Sequence, residues 1–200
     1  MQKINHPIRP FNQTIQVPRN DAVGKVVFVE GFLTAAECDR VLEQAANSEE
    51  TEGLTGADGQ RDAARTSRIR FLWPGADTAW LFDKLEYAAM QLNRQYQYAM
   101  TGFYEGAQIA RYGDGGEYNW HVDLGESLFS ARKLSLSVQL SDGSEYEGGD
   151  LEFIGATDQS APRSRGALVA FPSFVTHRIA PVTAGERLSL VSWISGRPFR

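Results

Sequence analysis

From Gly102 to the end, the chain shows no long helical period. It breaks instead into short runs of β-branched, aromatic and alternating residues, separated by Gly, Pro, Asp and Ser. Strands are predicted over 103–112, 118–123, 133–140, 150–154, 166–171, 177–181 and 187–194. Short strands in such a series hide their apolar faces by closing on one another, as a sandwich or a barrel. The stretch 133–140 sets the pattern. Leu134, Leu136, Val138 and Leu140 share one face; Lys133, Ser135, Ser137 and Gln139 share the other. One face is therefore buried against apolar neighbours, and the other lines something more polar.

The first half has a different period. Residues 25–30 read as a strand. Thr34-Ala35-Ala36-Glu37 is a capping box, which starts a helix running to about Asn47. Cys38, Val41, Leu42 and Ala45 fall on one stripe of that helix, so Cys38 is expected in the core. A strand is expected over 65–73, ended by Pro74. Asp77 is the expected cap of a second helix, from Thr78 to about Ala99, with Leu81, Leu85, Ala88, Leu92 and Tyr96 on its buried side. Two amphipathic helices beside many strands predict helices packed outside one sheet system. Between them, Ser48–Ala64 is charged and carries Gly53, Gly56 and Gly59; it reads as an exposed linker or as a lid over an active site. Residues 1–24 are polar, contain Pro7, Pro10 and Pro18, and are expected to run extended along the surface, with His6 solvated.

A length of 200 residues suits one domain with one sizeable core. A net charge of −5, with no basic cluster, gives no electrostatic reason to expect a nucleic acid as partner. One cysteine allows no internal disulfide, and a reducing compartment is expected. No apolar run approaches membrane-spanning length, and the N-terminus lacks a signal-peptide core, so a cytoplasmic location away from membranes is expected.

The chain holds 3 histidines, and two of them, His121 and His177, lie in the β-rich half. His121 is followed two residues later by Asp123. On a strand these side chains share a face and aim an imidazole and a carboxylate at one point. Together they form two thirds of a 2-His-1-carboxylate facial triad, which holds Fe(II) and leaves coordination positions open. Ten residues after His177, Arg187 opens an alternating strand in which Arg187, Ser189, Val191 and Trp193 share one face. If the leucine face of that strand packs on the helices, Arg187 and Trp193 point into the barrel. A buried guanidinium needs an anion, which here is either an Asp or Glu of the protein or a carboxylate ligand.

His121-x-Asp123, a distal His177 and Arg187 ten residues on resemble the motif of the Fe(II)/2-oxoglutarate-dependent dioxygenases, and within them the prolyl 4-hydroxylase-like branch. Tyr112 stands nine residues before His121, and Trp193 six residues after Arg187, as in that family. Gly148-Gly149-Asp150-Leu151, Phe171-Pro172-Ser173 and Pro181-Val182-Thr183 match further motifs, so the resemblance is strong over 100–200 and looser over 25–100. It implies one domain over 1–200: N-terminal helices and strands over 1–100, and a catalytic double-stranded β-helix, or jelly roll, over 101–200. His121, Asp123 and His177 would bind Fe(II). Arg187 would hold the far carboxylate of 2-oxoglutarate, helped by Tyr112, and Trp193 would wall the pocket. A second polar anchor would lie near Ser137 or Val138, although Val138 carries no hydroxyl. The implied reaction uses 2-oxoglutarate and O2, with ascorbate as an auxiliary, and hydroxylates an unactivated C–H with succinate and CO2 as coproducts. The substrate is expected to be a prolyl or similar residue in a peptide or protein, with Arg65, Arg68 and Arg70 as possible polar contacts. A free amino acid or other small molecule is the alternative. A non-catalytic jelly-roll module is a further one, against which all three ligand types are present.

Overall fold

The computed structural model of the chain describes residues 19–53 and 65–198. The elements of the first half are β1 (Val27–Val29), α1 (Ala35–Ala46), β2 (Thr51–Glu52), β3 (Arg65–Thr66), β4 (Arg68–Leu72) and α2 (Ala79–Tyr96). Then come β5 (Met100–Gly102), β6 (Ala107–Tyr112), β7 (Glu117–His121), a 3-10 turn at Ser127–Ala131, β8 (Arg132–Gln139) and β9 (Tyr146–Gly148). The last are β10 (Leu151–Phe153), β11 (Leu168–Pro172), β12 (His177–Ile179), β13 (Val182–Gly185) and β14 (Arg187–Gly196).

The strands form a large sheet in the order β1-β11-β8-β14-β6-β4-β2, with β5 on β14. A smaller sheet runs β10-β12-β7-β3, and β13 pairs with β9. The two faces of the large sheet do different jobs. Leu134, Leu136, Val138 and Leu140 of β8, with Leu190 and Ile194 of β14, meet Cys38 and Val41 of α1 and Leu81, Leu85 and Leu92 of α2 in one core. Ala110, Tyr112, Val169 and Phe171 point the other way and meet Leu151 and Ile179 of the smaller sheet in a second core. Helices thus cover one side of the large sheet, and the smaller sheet closes over the other. This is the expected mostly β jelly roll with flanking helices. Among the described residues, no helix is long and apolar enough to cross a membrane.

The capping box forms as expected. Glu37 N donates to Thr34 Oγ1 at 3.2 Å, and Thr34 N donates to Glu37 Oε2 at 2.8 Å. Cys38 is fully buried, and burial pushes its thiol pKa up, as befits a core residue rather than a reactive one. Asp77, by contrast, does not cap α2. Thr78 takes the N-cap position, and its hydroxyl donates to Trp73 O at 2.6 Å instead of capping. The helix also stops at Tyr96 rather than Ala99. Gln97 turns left-handed, and the Asn93 side chain binds both Tyr98 N (2.8 Å) and Tyr98 O (2.9 Å), which draws the chain out of the helix.

The strand expected over 65–73 is two strands. β3 pairs with β7 in the smaller sheet, β4 pairs with β6 in the large one, and the chain changes sheets at Ser67. The region expected as a loop or lid begins with β2, which pairs with β4. The rest of it, 54–64, lies outside the described residues, as do His6 and the expected extended lead-in up to residue 18.

The Gly148-Gly149 turn between β9 and β10 shows why those residues are glycines. Both have left-handed φ, +68° and +66°, and a Cβ on Gly148 would lie 2.2 Å from Pro181 O. Gly148→Ala is therefore expected to destabilise the fold by about 2 kcal/mol or more, from left-handed strain plus a backbone clash. A fall of several degrees in thermal midpoint checks this; an unchanged midpoint would mean that the turn is not locked in this form.

Candidate metal centre and its cavity

β7 and β12 run antiparallel with His121 directly opposite His177, which brings the two rings to a centroid distance of 4.2 Å. Asp123 arrives differently from the expectation. β7 ends at His121, so strand alternation does not aim the carboxylate. The chain turns there and is pinned by Leu124 N donating to Ser173 O (2.8 Å) and by Arg132 Nη1 donating to Asp123 O (3.2 Å). The Ser135 hydroxyl then donates to Asp123 Oδ2 at 2.6 Å, and lies 3.0 Å from the Ser173 hydroxyl.

The result is a converging donor set. His121 Nε2 lies 3.8 Å from Asp123 Oδ1, and His177 Nε2 lies 3.7 Å from Asp123 Oδ2. The three donor atoms all fall within 4.8 Å of one another. Each imidazole is oriented through its other nitrogen: His121 Nδ1 faces Asn119 O at 2.7 Å, and His177 Nδ1 faces Val175 O at 3.0 Å. A proton on each Nδ1 satisfies those carbonyls and leaves the Nε2 lone pairs directed at the shared point, the arrangement seen behind metal-bound histidines. Burial, and then the neighbouring His177, depress the His121 pKa to about 4, so its ring is neutral at pH 7. Burial opposes the charge on Asp123, but His177, His121, Arg132 and the Ser135 hydroxyl outweigh it and hold the carboxyl below its ordinary pKa. Two neutral imidazoles and one carboxylate suit a divalent cation with open positions.

The centre opens into a cavity of about 380 Å³ between the two sheets, bounded by residues such as Tyr112, Tyr118, Phe171, Ser189 and Trp193. Arg187 and Trp193 face inward from β14, as the alternation predicted, and are 3% and 6% exposed. Arg187 does not stand on the main cavity wall. It borders a recess of about 10 Å³ that shares Ser137 and Leu151 with the cavity. Its Nη1 donates to Ser189 Oγ at 3.2 Å, and its guanidinium carbon lies 5.7 Å from the ring centre of Tyr112, which is opposite it in register. Among the described residues, no carboxylate pairs with Arg187. Of the two anions open to it on sequence grounds, no Asp or Glu among the described residues takes that place.

Of the two positions expected for a second anchor, Val138 belongs to the core against the helices, whereas Ser137 faces the cavity and its recess. Of the three early arginines, Arg65 lines the cavity, with its guanidinium 4.7 Å from the centre of the Tyr118 ring. Arg68 and Arg70 turn away to Glu50, at 3.2 and 3.5 Å.

Several site residues escaped sequence reading. Tyr118 stacks on His121 at 3.5 Å, and burial pushes its phenol up to about 12. Arg132 is gripped by Glu105 through Nε (2.8 Å) and Nη2, and lies over Trp193 at 3.8 Å. Only Ser135 carried a readable signal, because it shares the polar face of β8 with Ser137.

The model of the 2OG-Fe(II) oxygenase superfamily matches residues 107–195. A PKHD-type hydroxylase of Synechococcus sp. (strain CC9902) is 41% identical over 85 residues, which are 41% of this chain and 36% of that protein. The first curated relatives are matched over only 36–40% of their own length. Among solved structures, a Pseudomonas putida prolyl-4-hydroxylase superposes with a TM-score of 0.69 at 23% identity, covering 88% of this chain and 95% of that one. A prolyl hydroxylase from Trichoplax adhaerens, solved with a hypoxia-inducible-factor peptide fragment, gives 0.67 at 18% identity, covering 86% and 84%. These two share the fold. Fold, matched segment and donor set agree: over residues 107–195 the chain is similar to the 2OG-Fe(II) oxygenase superfamily, and it shares the fold of the prolyl hydroxylases.

Proposed function

We propose that the protein is an Fe(II)- and 2-oxoglutarate-dependent dioxygenase that hydroxylates an unactivated C–H, in a prolyl or similar residue of a peptide or protein. The observation that carries this reading is a pairing. A converging His121–Asp123–His177 donor set opens into a cavity, and a buried arginine with no carboxylate partner among the described residues borders a recess that adjoins it.

Both halves fit the groups that the superfamily uses. The Nε2 atoms of His121 and His177 and one Asp123 oxygen would hold ferrous iron. Arg187 would take the far carboxylate of 2-oxoglutarate through two parallel hydrogen bonds. The Tyr112 hydroxyl, which has no hydrogen-bond partner among the described residues, and Ser189 stand beside it. Trp193 closes the wall. When bound, iron and the keto acid supply the oxidising power drawn from O2, with succinate and CO2 as coproducts. The protein's own residues fix the ligand geometry through Ser135, Asn119 and Val175, and keep the pocket dry. A reducing, cytoplasmic setting and ascorbate as reductant suit a ferrous site.

A peptide substrate is favoured by the apolar side chains exposed around the ligands. Trp120 and Val122 flank His121, and Phe174 follows Ser173 on the way to His177; they are 38, 43 and 37% exposed. The Trichoplax relative in fold was solved with a peptide.

The experiment is a mass-spectrometric survey of peptides and metabolites treated with the protein, Fe(II), 2-oxoglutarate and ascorbate. The expected result is succinate release together with peptide species one oxygen heavier. Oxidation confined to metabolites would move the substrate to a small molecule, and absence of succinate would refute the reaction.

A further inference from the structure

The two histidines are held by unequal means. His177 is 5% exposed and is packed into the second core, with the Phe171 ring at 4.5 Å and that of Phe153 at 6.2 Å. His121 stands at the end of β7, and its side chain is 16% exposed. Apart from His177, the ring packed on it among the described residues is Tyr118, with centroids 3.5 Å apart and planes 15° from parallel.

Regular strand geometry would not put Tyr118 there. Residues three apart on a strand point to opposite faces. Tyr118 is opposite Ile179 and His121 is opposite His177, so three steps along β7 match two along β12. The extra residue makes a bulge between Tyr118 and His121, which turns both rings to one side. Asn119 fixes the bulge: its Oδ1 accepts from Trp120 N at 2.7 Å, and its O faces His121 Nδ1 at 2.7 Å.

Tyr118 is itself held by Arg65. The two are opposite each other in register across β3 and β7, and the guanidinium carbon lies 4.7 Å from the ring centre. Arg65 Nε donates to Ser67 Oγ at 2.7 Å, whereas Nη2 is buried without a hydrogen-bond partner. The backbone of Gly53 packs close against the same group; a Cβ there would fall 2.6 Å from Nε and 3.0 Å from Cζ. A guanidinium with a buried, unpaired nitrogen is placed by its ring contact and by Gly53 more than by hydrogen bonding.

We infer that Tyr118, steadied by Arg65, is the positioning residue of His121. The bulge in β7 lays the phenol ring on the imidazole, so that Nε2 of the more exposed ligand stays aimed at the shared point. The Nδ1 contact with Asn119 O fixes the tautomer and one point of the ring. It leaves the plane of the ring free to tilt, and the Tyr118 stack sets that plane. This rests on His121 as a ligand in the reading above and goes beyond it, because it concerns what holds the ligand rather than what the centre oxidises.

The test is an anaerobic titration with Co(II) alone, followed by its d–d absorption, of wild type, Tyr118→Phe, Tyr118→Leu and Arg65→Met. Phenylalanine keeps the stack, leucine keeps bulk without a ring, and methionine removes the cation. Metal-free thermal melts check that each protein folds. The expected result is a loss of about tenfold in Co(II) affinity for Tyr118→Leu, and of about two- to fivefold for Arg65→Met. Tyr118→Phe should stay within about twofold of wild type. Wild-type affinity in a folded Tyr118→Leu or a folded Arg65→Met protein overturns the inference. So does a loss in Tyr118→Phe as large as that in Tyr118→Leu, which would give the role to the hydroxyl. Wild type that binds no Co(II) removes the metal centre and this inference with it. Wild type that binds Co(II) but releases no succinate with Fe(II) and 2-oxoglutarate removes the dioxygenase reading alone.

Discussion

Asp123→Asn is expected to abolish succinate release, with a loss on the order of 10³-fold or more. Removing a partner behind a ligand typically costs 10- to 100-fold in metal affinity or activity, and Asp123 would be a ligand itself. The substitution keeps the shape and an acceptor for the Ser135 hydroxyl, which now donates at 2.6 Å. What it removes is the negative charge between the two imidazoles. That charge is buried, and His177, His121, Arg132 and the Ser135 hydroxyl outweigh the desolvation that opposes it. The variant should therefore lose some stability yet still fold, and turnover lost by a folded variant would belong to the metal. Fe(II)-dependent succinate release, measured beside a thermal melt, checks both parts. A folded variant with wild-type turnover would remove Asp123 from the ligand set.

Arg187→Met carries the second large effect. Truncating one partner of a buried charge-assisted pair costs about 2–5 kcal/mol, so 2-oxoglutarate should bind roughly 100-fold more weakly. Metal binding should survive, because the guanidinium contacts Ser189 and the Tyr112 side rather than the histidines. Stability should move the opposite way. Without ligand, Arg187 is a charge at 3% exposure with only a serine hydroxyl as hydrogen-bond partner. An apolar side chain of similar length removes that cost, and the ligand-free variant should melt at a higher temperature. Cosubstrate titration and paired melts read the two signs. Unchanged cosubstrate affinity would place the anchor elsewhere.

How much was legible in the sequence depends on how many residues each feature spans. α1 and α2 announce themselves through stripes that repeat over three or more turns. β8 and β14 do so through eight and ten residues of alternation, and the inward face of β14 followed from that alternation alone. β2, β3, β5, β9 and β13 are two to four residues long. No period can be read over so short a run; their pairing with longer partners decides them. The break at Ser67 is hidden for the same reason, since 65–72 is uniformly extended and only the choice of neighbouring strand divides it. Within the site, His121, Asp123, His177, Arg187, Tyr112 and Trp193 could be found because their spacing along the chain matches a motif. Gln108, Glu105, Arg132 and Tyr118 have no such spacing. They meet because β6, β7, β8 and β14 fold onto one cavity. Asp123 shows both sides: its identity was readable, but the route by which it reaches the histidines, a turn pinned by Ser173 and Arg132, was not.

The account stands on three side chains sharing one metal ion while Arg187 holds a keto diacid. An anaerobic crystal structure with Mn(II), as an inert stand-in for iron, and 2-oxoglutarate tests that most directly. The account predicts the ion bound to His121 Nε2, His177 Nε2 and an Asp123 oxygen, with the distal carboxylate of the keto acid on Arg187. An ion held elsewhere, or a keto acid that leaves Arg187 unpaired, would contradict it.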